Sequence, residues 1–332
     1  MQKSGGEIVS ALLEVQNLKK YFKVGGGILH AVDDVTFSLD AGKTIGVVGE
    51  SGCGKTTLGR TILHLLEPTD GKILFDGRDV TQPSKSELKE LREDMQIIFQ
   101  DPYSSLNPRR TVSEAIATPL LVQGKLSKAE IYAETRKLMD TVGLASRLEN
   151  SYPHELDGGR RQRIGIARAL ALKPRVIVCD EPVSALDVSI QAQVINLMLD
   201  LQESLGLSYM FVTHDLSVVK YISDDIMVMY LGQLVEKAPS NELFAHPTHP
   251  YTQALLSAIP IPNLHTDRKR TIMQGELTSP INPKPGCRFM PRCPYAGEEC
   301  KQPQTLEELA PNHFVSCCKC SGNKLTEKET EK

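Results

Sequence analysis

A chain of 332 residues, 40% hydrophobic and 24% charged, has the composition of an ordinary globular protein, with length for one large domain plus an appendage or two modest domains. Its formal net charge of −3 gives no electrostatic reason to expect nucleic acid as a partner. No apolar run reaches the roughly 18–20 residues that span a bilayer, and "MQKSGGEIVSALLEVQ" lacks an apolar signal core, so the expected location is the cytoplasm, where the chain is free to dock onto a membrane partner.

From residue 11 to 49, "LLEVQNL", "VDDVTFSLD" and "TIGVVGE" read as strands, with "KVGGG" as a hairpin tip. "KILFDGRDV" adds a strand ending in an Asp76-Gly77 turn, and "MQIIFQ" adds another. "RVIVCDE", "SYMFVTH" and "DIMVMY" are near-continuous apolar runs, expected of strands buried on both faces. Helical patterns separate them, notably over 55–66 and 189–204. The predicted fold class is α/β, with a mixed, largely parallel sheet and an antiparallel β subdomain. Residues from about 106 to 172 read as an inserted helical subdomain, in which Ser127 and Glu130 form a capping box and Gly143 is a helix stop. The expected domains are 10–258 for the main α/β unit and 259–320 for a small, irregular, Cys-rich extension, followed by a disordered polar tail, 321–332.

"GESGCGKTT" (49–57) matches the phosphate-binding pattern G-x-x-x-x-G-K-[ST] between a predicted strand and a predicted helix. Gly49, Gly52 and Gly54 let backbone N–H groups wrap a phosphate, and the helix start adds partial positive charge. Lys55 is expected to reach the β- and γ-phosphates and the Thr56 hydroxyl to ligate Mg²⁺; Ser51, Cys53 and Thr57 complete the cradle. "VIVCDEP" puts Asp180 and Glu181 at the end of a buried strand, where Asp180 is suited to hold Mg²⁺ and Glu181 to polarise an attacking water. "LDGGRRQR" (156–163) presents two glycines after Asp157, which reads either as an ordinary helix N-cap or as a phosphate-facing helix start with an acid in it.

Of the 8 cysteines, Cys53 and Cys179 lie in apolar or Gly-rich stretches and six fall between 287 and 320. In a cytosolic chain such a cluster suggests metal before disulfides. Cys287, Cys293, Cys300 and Cys317 run C-x5-C-x6-C-x16-C, without the tight pair of a typical structural zinc site; only Cys317 and Cys320 have that spacing. On spacing alone an iron–sulfur cluster, zinc and free thiols stand level.

The succession "GESGCGKTT", "FQDP", "LDGGRRQR", "VCDEPVSALD" and "FVTHD" resembles the ATP-binding subunit of an ABC transporter. The resemblance implies ATP as substrate, Gln100 as the Q-loop glutamine reaching Mg²⁺, and His214 as the switch histidine at the γ-phosphate. It also implies Phe22, beside Tyr21, as the aromatic that stacks on adenine. Two such subunits close head-to-tail, so Asp157, Gly158, Gly159 and Arg160 of the signature, with Asp187 of the D-loop, are expected to face the ATP of a second ABC ATPase subunit. The family signature is usually LSGGQ, so Asp157 replaces serine and Arg160 replaces glutamine. A carboxylate about 4 Å from a phosphate charge costs about 4 kcal/mol at an effective dielectric of about 20. Unless Arg160 neutralises it or it turns to cap its own helix, Asp157 weakens that site, and a heterodimer with unequal sites is expected.

"HPTHPYTQALLSAIP" and "SPINPKPGCRFMPRCPYAGEEC" with "PNHFVSC" resemble the C-terminal part of dipeptide/oligopeptide importer ATPases. That resemblance implies a [4Fe-4S] cluster on Cys287, Cys293, Cys300 and Cys317. It further implies two transmembrane permease subunits, fed by an extracytoplasmic peptide-binding protein, and a peripheral place on the cytoplasmic face of the membrane. Two other classes compete: a soluble ABC ATPase of translation or DNA repair, and a redox-sensing regulator. The single cassette and the short helical insertion count against the former.

Overall fold

The computed structural model describes residues 11–101, 103–259, 273 and 279–320. The tail expected to be disordered, 321–332, lies outside them, as does nearly all of the Pro-rich stretch 260–278. In chain order the strands and helices are β1 (Leu13–Val24), β2 (Gly27–Leu39), β3 (Thr44–Val48), α1 (Lys55–Ile62), β4 (Asp70–Phe75), β5 (Arg78–Asp79), α2 (Lys85–Asp94), β6 (Met95–Ile98), α3 (Val112–Gln123), α4 (Lys128–Thr141), α5 (Gly158–Leu170), β7 (Val176–Asp180), α6 (Val188–Leu205), β8 (Ser208–Val212), α7 (Leu216–Ile222), β9 (Asp225–Tyr230), β10 (Gln233–Pro239), α8 (Ser240–Ala245), α9 (Pro250–Ser257), β11 (Glu307–Ala310) and β12 (His313–Val315).

They form two sheets. The smaller is antiparallel, in the order β2-β1-β4-β5; Gly25 and Gly26 turn the first hairpin, and Asp76 and Gly77, with φ of 51° and 74°, make the tight turn into β5. The larger has the order β11-β12-β10-β9-β3-β8-β7-β6. Its centre, β9-β3-β8-β7-β6, is parallel.

Strands β3, β7 and β8 are buried at every position, which explains their unbroken apolar runs. Ile45 and Val47 face α1 and the antiparallel sheet, whereas Val48 joins the core beneath the helices of the opposite face. Val176 and Val178 of β7 divide from Ile177 and Cys179 in the same way. Helices α3, α4 and α5 pack on one another beside that second core. Capping boxes start α2 at Ser84/Glu87, α3 at Thr111/Glu114 and α4 at Ser127/Glu130. Among the described residues no helix is long and apolar enough to cross a membrane.

The extension differs from its expected irregularity in one respect. After two 3-10 turns, Met290–Arg292 and Glu298–Lys301, it ends in the β11–β12 hairpin, which pairs antiparallel with β10 and so extends the main sheet. An edge hairpin with strands of only four and three residues takes its order from the backbone bonds of β10, so its mostly exposed β11 carries little hydrophobic alternation to read.

Behind this edge lies a buried polar network. Glu236, fully buried, accepts the backbone N–H groups of Thr248 and His249, and its carboxylate stands 2.7 Å from His313 Nε2. His249 caps α9 by accepting from the Tyr251 N–H, and packs with Phe289, Tyr230 and Tyr251 in an aromatic cluster. Burying a Phe side chain such as Phe289, 1% exposed, stabilises by about 1.5–3 kcal/mol.

Burial pulls the His249 pKa from 6.5 down to about 4, against the attraction of Glu236. The native state therefore holds His249 neutral while the unfolded chain takes up a proton below about 6.5. Stability from this residue is complete above that pH and is lost as pH falls towards about 4, by about 3 kcal/mol in total. His249→Asn, whose side-chain oxygen can still accept the Tyr251 N–H, is expected to flatten this part of the stability–pH curve measured by urea unfolding; an unchanged slope would contradict the assignment.

Candidate active site at the P-loop

The C-terminal ends of parallel strands open on one edge of a sheet, and here β3, β6, β7 and β8 deliver the predicted motifs to the same edge. A cavity of about 500 Å³ lies there, lined by Ser51, Gly52, Gly54, Lys55, Thr56 and Thr57 from the loop and α1, Gln100 beyond β6, Glu181 beyond β7 and His214 beyond β8. Phe22 of β1 also lines the cavity, with the Lys20 ammonium over its ring at 4.9 Å.

Gly54 is in the left-handed region at φ 104°, and a Cβ there would stand 2.0 Å from the Ala31 carbonyl oxygen of β2, so the close approach of loop to sheet requires glycine. Lys55 is 5% exposed and donates to the carbonyl oxygens of Gly49 at 2.7 Å and Glu50 at 3.0 Å. Cys53 is buried beneath the loop, and burial raises its thiol pKa, so it is a packing residue of the turn.

The Thr56 hydroxyl donates to Asp180 Oδ1 at 2.6 Å, and Arg60 Nη2 lies 3.6 Å from Asp180 Oδ2. An alcohol and a carboxylate oxygen in contact are hard donors of the kind Mg²⁺ takes, so these residues fit that ion. Gln100 donates from Nε2 to Glu181 Oε2 at 2.8 Å, and His214 Nδ1 is 3.3 Å from Glu181 Oε1. Glu181 has φ of 49°, a region that side chains other than glycine rarely adopt, as at many reactive residues. Three predicted residues thus meet at one carboxylate at the cavity floor.

Asp157, Gly158, Gly159, Arg160 and Asp187 do not line this cavity. Asp157 and Asp187 start α5 and α6, accepting from the Arg160 N–H at 2.8 Å and the Ile190 N–H at 3.0 Å. The two helix starts are pressed together: a Cβ on Gly159 would stand 2.6 Å from Ile190 Cγ2, and one on Gly158 3.0 Å from Leu186 Cδ2. Packing within this chain therefore accounts for the glycine at 159, whereas at 158 the end of the Leu186 side chain is the nearest neighbour and would need to give only a few tenths of an ångström. The repulsive carboxylate expected of Asp157 is answered in part, because it caps its own helix and its Oδ2 lies 3.4 Å from Arg160 Nη1.

The sequence reading missed Leu29, His30 and Ala31 of β2, Leu231 and Gly232 after β9, and Pro280 of the extension, all of which line the cavity. None belongs to a contiguous motif; they reach the cavity because β2 and the β9–β10 turn lie against the P-loop, as the Gly232 N–H bond to the Cys53 carbonyl records.

In the extension, the pKa of the Cys287 thiol is pushed up to about 12, by burial first and then by the nearby thiols of Cys317, Cys300 and Cys293. The four predicted ligands thus gather in one neighbourhood. Cys300 Sγ is 3.8 Å from Cys318 Sγ, and the Cys320 thiol donates to Cys317, holding that thiol below its ordinary pKa. Among the described residues no three His, Cys, Asp or Glu side chains stand in position to hold a single metal ion.

Comparison with known proteins matches this arrangement. The family model "ABC transporter" covers residues 32–184 and "Oligopeptide/dipeptide transporter, C-terminal region" covers 235–300. The chain is 51% identical over 320 residues to the oligopeptide transport ATP-binding protein OppF of Salmonella typhimurium, across 93% of this chain and 96% of that one. It is 50% identical over 317 residues to AppF of Bacillus subtilis, an oligopeptide transport ATP-binding protein, across 92% and 96%. Among solved structures, cbiO1 of Clostridium perfringens superposes with a TM-score of 0.65 at 28% identity, over 71% of this chain and 92% of that one. A dimeric ATP-binding cassette bound to ADP and Pi superposes with a TM-score of 0.63 at 29% identity, over 69% and 98%. With about half its residues identical to these two transport ATP-binding proteins over more than nine-tenths of its length, the chain belongs to the ABC transporter ATPases, among the ATP-binding proteins of oligopeptide/dipeptide transporters.

Proposed function

We propose that this chain hydrolyses ATP to drive import of dipeptides and oligopeptides, as the nucleotide-binding subunit of a membrane transporter. The observation that carries the catalytic part is the meeting of Gln100 and His214 at the Glu181 carboxylate beside the P-loop. The extension's match to the oligopeptide/dipeptide family supports the substrate class.

In this reading the loop 49–57 and the start of α1 bind the phosphates, and Phe22 bounds the base. Thr56, Asp180 and Gln100 would hold Mg²⁺, which supplies charge neutralisation on the phosphate oxygens. Glu181 accepts the proton of the attacking water, while Gln100 and His214 hold its carboxylate in line. In the assembled transporter Glu181→Gln is expected to keep nucleotide binding and to lower turnover by about 100-fold or more, the usual loss of a general base. Hydrolysis within a few-fold of the parent would remove Glu181 from that role.

The working unit is a pair of ATPase subunits, this one and a related one, docked on two permease subunits at the cytoplasmic face of the membrane, with a peptide-binding protein supplying the substrate. Asp157, Gly158, Gly159, Arg160 and Asp187 face the nucleotide of the second subunit. Asp157 works there as the N-cap of α5 with its charge offset by Arg160, which supports two usable sites rather than one crippled one. Serine is an equally good N-cap, so Asp157→Ser tests the charge alone. Turnover is expected to stay within about three-fold, whereas Arg160→Gln, which strands the carboxylate beside phosphate, is expected to lower it by about ten-fold or more. A large gain from Asp157→Ser would restore the repulsive reading.

The extension holds a [4Fe-4S] cluster on Cys287, Cys293, Cys300 and Cys317, a reading supported by the gathering of these thiols. Thiolates of such a cluster each bind a different iron, so they stand farther apart than ligands of one ion. Anaerobically purified protein is expected to be brown with about four iron per chain, and Cys293→Ser or Cys300→Ser to lose the iron. A colourless protein with stoichiometric zinc would overturn this.

A further inference from the structure

The extension carries two arginines that reach back into the nucleotide-binding edge. They sit in "CRFMPRC", each adjoining a cysteine, on a chain segment bent by the 3-10 turn Met290–Arg292. Between them Phe289 is sealed among Tyr230, Tyr251 and His249, which fixes where the two side chains emerge.

Arg292 meets the P-loop. Its Nη1 lies 2.8 Å from Glu50 Oε2 and its Nη2 3.1 Å from Glu50 Oε1, a two-pronged ion pair with the arginine side chain 8% exposed. Glu50 is the second residue of "GESGCGKTT", its backbone N–H donates to the Tyr251 hydroxyl at 2.8 Å, and its carbonyl accepts from Lys55. The loop that would cradle phosphate is thus held from behind by the extension and by α9. Arg288, equally enclosed, donates to the Leu231 carbonyl and to Asp33. Asp33 also accepts from the Tyr21 hydroxyl and lies 3.0 Å from His30 Nδ1, and His30 stacks on Tyr21 with ring centres 4.0 Å apart. His30 and Leu231 both line the nucleotide cavity.

We propose that Arg292 and Arg288 are positioning residues for nucleotide binding: Arg292 fixes the P-loop through Glu50, and Arg288 fixes the base-side wall through Asp33 and the Leu231 carbonyl. The extension is then a working part of the ATP site. Whatever the neighbouring cysteines hold also holds these two arginines, so the state of the cysteine segment is felt at the nucleotide. The proposal rests on reading 49–57 as the phosphate cradle.

The test uses the full chain, with the affinity for ADP and for a non-hydrolysable ATP analogue, the KM and kcat for ATP, and the melting temperature all measured. Arg292→Gln is expected to raise the nucleotide Kd and KM by about ten-fold or more, with kcat within about two-fold. Arg292→Lys, which keeps the charge and loses the second prong, should recover part of the affinity. Glu50→Gln should reproduce the loss, and the double variant should be no worse than either single one. Arg288→Gln should raise the Kd for ADP more than that for inorganic pyrophosphate, which lacks the base. A lowered melting temperature with KM unchanged, or additive losses in the double variant, would overturn the proposal and leave Arg292 a stabilising contact. Lys55→Ala separates the two readings: if it abolishes binding while Arg292→Gln does not, only the positioning role fails, and if it leaves binding intact, the cradle itself is misassigned.

Discussion

The hydrogen bond from Thr56 to Asp180 joins two segments more than a hundred residues apart in sequence, and the rest of the site is arranged around it. It exists because β3 and β7 flank β8 in register, with Val47 opposite Val212 and Val212 opposite Asp180. Parallel strands of equal length in that register end on one line, so the residues that follow them share one edge. The same register places Gln100 after β6 and His214 after β8 on either side of Glu181. Successive side chains of these strands enter two different cores, so a shift of one residue would exchange the sets of side chains that fill them.

That edge is tied to surfaces at a distance by packing rather than by charge. Gly159 at the start of α5 lies so close to Ile190 at the start of α6 that a Cβ there would overlap it, so the two helix starts are packed directly on each other. Asp157 and Asp187 are matching N-caps of these two helices, and both carboxylates are spent on backbone N–H groups. A sequence comparison that sees only a missing serine in "LDGGR" registers a defect, whereas the geometry shows a capped helix with an arginine over the acid.

The Cys-rich extension is bound into the domain from several sides. The β11–β12 hairpin continues the main sheet, His313 meets the buried Glu236, and Phe289 enters the aromatic cluster under the P-loop. Glu236 is satisfied by two backbone N–H groups and by His313, so one carboxylate fastens β10, the start of α9 and β12 together. Because Pro280 also joins the cavity lining, the extension contributes directly to the site wall.

Much of this was legible in the sequence because it is local. The Gly-rich loop between an apolar strand and a helix, the acid pair after "VIVC", and the buried strands "SYMFVTH" and "DIMVMY" each announce themselves within a few residues, since a phosphate cradle and a doubly buried strand are short-range patterns. The ordered succession of motifs carried the family. What the sequence left undecided depends on which distant segments touch. His30 and Leu231 at the cavity, the glycine at 159 required by Ile190, the pairing of β12 with β10, and the reach of Arg288 and Arg292 to Asp33 and Glu50 have no signature in the residues around them. Each is a close contact between chain segments brought together only by the order of the strands, and that order is a property of the whole core rather than of any stretch of the chain.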